Sequence, residues 1–68
     1  MLSAEKIRLM DSAILLSLVN MKLRNEFSSL ASLCRFYAIT PALLEQRLLT
    51  DGFTYQPVTN QFRPNELV

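Results

Sequence analysis

The sequence predicts a mainly α-helical domain. The expected architecture is a three-helix bundle with a helix-turn-helix-like second and third helix, closed by a short C-terminal β-hairpin or arm. Three observations carry this. Leu30, Leu33, Cys34 and Tyr37 recur at helical spacing, and Thr40-Pro41 opens a new helix one tight turn later. The stretch GFTYQPVTNQFRP then alternates aromatic and polar residues about a proline.

The first helix is expected from about Asp11 to Phe27, with Asp11 or Ser12 as N-cap, because either oxygen can accept a free N–H of the first turn. Leu16, Val19, Leu23 and Phe27 share one face, and Ile14, Leu18 and Met21 nearly the opposite one. A helix apolar on two sides calls for cover on two sides, from residues 1–10 or from a second chain. Residues 1–10, with Met1, Leu2, Ile7, Leu9 and Met10, either extend this helix or pack across it. Asn20 lies on the Leu16–Leu23 face. It reads first as an amide bonded to a neighbouring loop or opposing helix, and second as a ligand contact.

The second helix is expected from about Ser29 to Tyr37, capped by Ser28 or Ser29. The turn Ala38-Ile39-Thr40 has alanine where a left-handed backbone favours glycine, a cost of about 1 kcal/mol. The third helix has Thr40 at its N-cap and Pro41 in the first position, where a missing N–H is harmless. Ile39 is placed to staple Leu44, Leu44 and Leu48 face the core with Leu43 at its edge, and Gly52 ends the segment.

In the hairpin, Phe53, Tyr55 and Phe62 are expected on one face and Thr54 and Gln61 on the other. Pro57 suits the second position of a turn starting at Gln56, and Asn60 tolerates a left-handed bend. The chain thus divides into an N-terminal segment 1–10, a compact unit 11–63 and a frayed tail 64–68, with Pro64 stopping the second strand.

Sixty-eight residues make one domain, close to the lower size for a self-sufficient core. Half the residues are hydrophobic and 19% charged, a globular composition. Cys34 is the only cysteine and histidine is absent, so an internal disulfide is impossible, and neither a zinc site nor any other cofactor is expected. This points to a reducing compartment, the cytoplasm. Lys6 and Arg8 before AILLSLV resemble a signal peptide, but Asp11, Ser12, Asn20 and Lys22 interrupt or follow the run without a small-residue cleavage site. The run is also shorter than the roughly 20 residues of a membrane span. No membrane partner is expected.

Seven basic residues face six acidic ones, a poor basis for a free-standing nucleic-acid binder. The first functional expectation is therefore a non-catalytic protein-interaction or structural module, self-associating as a homodimer through Ile14, Leu18 and Met21. If the chain is a monomer with these three exposed, they point instead to a foreign protein partner. The alternative is a winged-helix-like accessory protein that reads a base with Gln46 and holds phosphates with Arg35, Arg47 and Arg63. Against it, Ala42, Glu45, Gln46 and Leu49 form the outer face of the third helix, where Glu45 repels phosphate and Leu49 finds no apolar surface. An enzyme is not expected, and no small-molecule substrate is evident. Cys34 lies in a core stripe without a base to activate it, the carboxylates are scattered, and Gly52 is the only glycine.

The segments LLSLVNMKLRNEFSSLASLC and LLTDGFTYQPVTNQF carry a further pattern: Val19-Asn20, Lys22-Leu23-Arg24, Ser29-Leu30, Leu33-Cys34, Gly52-Phe53, Tyr55, Asn60 and Phe62. This resembles a family of small bacterial proteins described as domain of unknown function 4250, over roughly Ser12 to Phe62. The resemblance implies one compact domain of bacterial type. It implies no activity, substrate or cofactor.

Overall fold

The computed structural model describes residues 2–65, and four helices precede one hairpin. They are α1 (Ala4–Leu9), α2 (Ser12–Asn25), α3 (Leu30–Tyr37), α4 (Pro41–Leu49), β1 (Phe53–Gln56) and β2 (Gln61–Pro64). The molecule is mainly helical with a two-stranded antiparallel hairpin at its C-terminal end.

The expected count of three helices is corrected by α1. Residues 4–9 neither extend α2 nor lie across its outer face; they form a separate helix that packs against α4. Ser3 starts it, its Oγ accepting the Lys6 N–H at 3.2 Å. Met10 then takes an extended conformation, φ −75° and ψ 144°, which breaks the chain direction before Asp11. Six residues hold too few turns to display a period, and this is why the sequence pattern did not resolve α1. Leu2 and Ile7 are buried, so this segment completes the core instead of trailing from it. Met1 lies outside the described residues.

Of the two expected caps of α2, Asp11 acts: its carboxylate accepts the N–H groups of Ala13 and Ile14 at 3.1 and 3.4 Å. The buried stripe is Leu15, Val19 and Leu23, four residues apart each time. Leu16 and Phe27 are only half-buried, and Leu15, absent from the expected core face, is fully buried. Of the two covers expected for the second face of α2, residues 1–10 do not supply one. Ile14 and Met21 stay exposed, because α1 is engaged with α4.

Ser29 caps α3 by accepting the Ser32 N–H at 3.1 Å. Ala38 is left-handed, φ 56° and ψ 46°, and lets the Ile39 N–H return to the Cys34 carbonyl at 2.8 Å. Thr40 holds the cap position of α4 without a side-chain bond, while Pro41 fills the first turn and Ile39 and Leu44 are both buried. Gly52, φ +86°, closes the turn after α4 by donating to the Leu49 carbonyl at 2.8 Å.

The hairpin register pairs Phe53 with Pro64, Thr54 with Arg63, Tyr55 with Phe62 and Gln56 with Gln61. Phe53, Tyr55 and Phe62 therefore share a face, and Thr54 and Gln61 the other. Asn60, φ 56°, donates its N–H to the Gln56 carbonyl at 2.8 Å across the Pro57 turn. Within the expected frayed tail, Pro64 still belongs to β2 and the Asn65 N–H bonds the Gly52 carbonyl at 2.6 Å. Residues 66–68 lie outside the described residues.

A lone hairpin is marginal in water, and this one is tied to the helices by amides. Asn20 Nδ2 donates to the Phe62 carbonyl at 3.0 Å, and Asn20 Oδ1 accepts the Phe62 N–H at 2.7 Å. Asn60 Nδ2 donates to the carbonyls of Leu23 and Phe27 at 2.9 and 3.0 Å, groups left open where α2 ends. Tyr55 Oη donates to Asn60 Oδ1 at 2.6 Å and accepts the Leu30 N–H at 3.2 Å, one of the free donors of α3. One network thus joins the end of α2, the start of α3 and both strands. Every buried side-chain polar atom among the described residues has a partner.

Candidate protein-contact surface

The unoccupied face of α2 follows from the helical period. With Leu15, Val19 and Leu23 turned inward, Ile14, Leu18 and Met21, spaced four and then three residues apart, run along the flank and outer side. Ile14 is 60% and Met21 42% exposed, while Leu18 is half-buried against the core. Ser17 lies between them, exposed and small. The three lie along one side of the helix as the period predicts, and residues 1–10 do not cover them.

An aromatic group lies where the end of α2 meets α3. Phe36 lies 5.4 Å from Phe27 and 5.0 Å from Tyr37 between ring centroids, with Phe27 and Tyr37 5.9 Å apart. Lys22 Nζ, on α2, is 5.6 Å from the centre of the Tyr37 ring. Phe36 is 69% exposed, so α3 also presents an apolar side chain at the surface. Sequence reasoning missed Phe36 because it falls beside, not within, the Leu30–Tyr37 core stripe; its exposed position next to Tyr37 was the only signal.

The ends of α2 differ in charge. Asp11 stands at the N-terminus, and Lys22 and Arg24 lie in the last turn. Lys22 pairs with Glu26 at 3.4 Å. Its pKa is raised first by the Tyr37 hydroxyl, with desolvation opposing and the Glu26 carboxylate adding to the rise.

The residues of the nucleic-acid alternative lie on three different elements. Arg35 is exposed on α3, Gln46 on α4 and Arg63 on β2. Arg47 is engaged inside the protein, donating to Ser12 Oγ and to the Met10 carbonyl at 2.7 Å each. It also lies 3.7 Å from Asp51. It clasps the joint between α1 and α2 to α4, so its expected role at a phosphate meets an existing structural one. Ala42, Glu45, Gln46 and Leu49 are exposed as the helical period requires. Glu45, Gln46, Leu49, Thr54 and Tyr55 line a shallow groove of about 310 Å³ between α4 and β1.

Cys34 is enclosed in the core. Burial, with a smaller effect from Glu45, pushes its thiol pKa up and away from the reactive thiolate. Asn20 serves the hairpin, as its reading as a satisfied amide anticipated. Among the described residues, no helix is long and apolar enough to cross a membrane, and no three histidine, cysteine, aspartate or glutamate side chains gather in one place.

No curated protein and no solved structure is significantly similar to this chain. A family model, by contrast, matches residues 9–62, from the end of α1 through Phe62 of β2, and so spans α2, α3, α4, β1 and the Asn20, Tyr55 and Asn60 network. The chain belongs to the family described as domain of unknown function DUF4250.

Proposed function

We propose that the protein is a non-catalytic protein-interaction module that pairs with a second copy of itself through the outer face of α2. The observation that carries this reading is the Ile14–Leu18–Met21 stripe, exposed at Ile14 and Met21 and half-buried at Leu18, on a helix whose other side holds the core. An apolar stripe at four-three spacing is the seam by which two helices pack. An antiparallel, two-fold pairing sets Ile14 of one copy against Met21 of the other, with Ser17 and Leu18 at the axis. It also opposes the helix dipoles and brings Asp11 toward the Lys22 and Arg24 end of the second copy. Here α3, the Ala38 turn and α4 act as a helix-turn-helix-like scaffold within a helical bundle, used for shape and not for base reading. The nucleic-acid reading keeps Arg35, Gln46 and Arg63 but has to share Arg47 with the α1–α2 joint.

Cysteine placement tests the arrangement, since buried Cys34 leaves an introduced thiol as the reactive one. Ser17→Cys is expected to form a covalent dimer on mild oxidation, and Ala13→Cys, remote from the axis, to stay monomeric on a denaturing gel. Efficient linkage of both variants would indicate parallel packing, and linkage of neither would contradict this interface.

A further inference from the structure

We infer that the free edge of β1 is a docking site for an extended peptide strand carrying an apolar and a basic side chain on one face. The inference goes beyond the pairing of α2 and does not depend on it.

The hydrogen bonds of Asn20 locate this edge. In an antiparallel pair, a residue's N–H and C=O point either both toward the partner strand or both away. Phe62 gives both groups to Asn20, so neither faces β1. Its cross-strand partner Tyr55 therefore directs its own N–H and C=O away from β2. By alternation, Phe53 does the same. The Asn65 N–H bond to Gly52 agrees, because Gly52, Thr54 and Gln56 are then the inward-bonding positions. Among the described residues, no hydrogen bond occupies the outward groups of Phe53 or Tyr55.

The two edges of the hairpin are thus unlike. That of β2 is closed by the Asn20 amide and bears Arg63 and Pro64. That of β1, Phe53-Thr54-Tyr55-Gln56, is short and lies beside α4, but it has no charge, no proline and no bulge, three of the devices that protect an edge. Beside it lies the groove of Glu45, Gln46, Leu49, Thr54 and Tyr55. Main-chain groups in a row beside a side-chain groove are the two parts of recognition by strand addition. Leu49, 50% exposed, offers an apolar contact, and Glu45 is the one charged residue in the lining, which selects a basic side chain two residues from the apolar one. A second copy suits the site less well. A two-fold axis across the β1 edge, perpendicular to the strand, brings a second Glu45 toward the first, where like charges oppose each other.

Amide hydrogen exchange and chemical-shift mapping on the full chain test this, with acetyl-Thr-Val-Thr-Lys-Thr-amide as probe. In the free protein, the Tyr55 N–H is expected to exchange fast and the Phe62 N–H slowly. The probe is expected to shift the Phe53, Tyr55 and Leu49 resonances and slow Tyr55 exchange, and its fully N-methylated form to do neither. Glu45→Lys, at an exposed position, is expected to weaken the probe about threefold and favour the peptide with glutamate in place of lysine by a similar factor. A protected Tyr55 amide in the free protein would overturn the inference, with concentration-dependent protection marking a second copy as the occupant. No shift at β1 with millimolar probe, or equal shifts from the N-methylated peptide, would overturn it as well.

Discussion

Asn20 and Phe62 complete each other's hydrogen bonds as though the helix residue were a neighbouring strand. The Phe62 N–H reaches Asn20 Oδ1 at 2.7 Å, and its carbonyl receives Asn20 Nδ2 at 3.0 Å. Asn20→Asp keeps the size and the acceptor but sets a carboxylate oxygen against the Phe62 carbonyl. The expected loss is about 1–3 kcal/mol of folding stability, read as a lower urea midpoint, with the fold kept by circular dichroism. Unchanged stability would show that the hairpin holds to the helices without this pair.

Ala38 is an L-residue in left-handed backbone, φ 56°. Ala38→Gly relieves that strain, offset in part by the greater freedom of glycine in the unfolded chain. A net gain of about 0.5–1 kcal/mol is expected by thermal or urea unfolding. A loss would mean that the Ala38 methyl makes a contact worth more than the strain.

Arg47 ties Ser12 and Met10 to α4 through two short bonds. Arg47→Lys keeps the charge but has no planar fork to reach both partners. A loss of about 1–2 kcal/mol is expected, with faster exchange of the α1 amides before those of α2. Uniform acceleration throughout the chain would show that α1 does not open as a separate unit.

Cys34 has a raised pKa because its surroundings penalise the thiolate, and Glu45 adds a like charge. A group whose folded pKa exceeds its unfolded value stabilises fully below the unfolded pKa, and that contribution is lost as pH rises through the folded one. Stability is therefore expected to fall above about pH 8.5, and Cys34→Ala is expected to remove part of that slope. At neutral pH, a thiol reagent is expected to label Cys34 only as fast as the protein opens. Rapid labelling of the folded protein would contradict the burial.

Most of the fold was legible because single residues announced it. Ser29, Thr40-Pro41, Gly52 and the Pro57–Asn60 turn each stand where their backbone chemistry requires. The helix α1 was not, since six residues bearing Lys6 and Arg8 show one inward position, Ile7, and no repeat. The α2 stripe was found, but three successive apolar residues, Ile14-Leu15-Leu16, hid which leucine is central. Leu15 is the buried one, and α2 is covered by α3, α4 and β2, contacts that are tertiary. The Tyr55–Asn60 network was equally hidden, because its partners on α2 and α3 are carbonyls and N–H groups that nearly every residue carries.

Sedimentation equilibrium from micromolar to hundreds of micromolar protein, on the wild type and on Met21→Glu, tests the pairing of α2 most directly. The wild type is expected to fit a monomer–dimer equilibrium, and Met21→Glu, altered at an exposed site, to remain a folded monomer throughout. A monomeric wild type at every concentration, or a dimer that Met21→Glu leaves intact, would contradict the proposed contact.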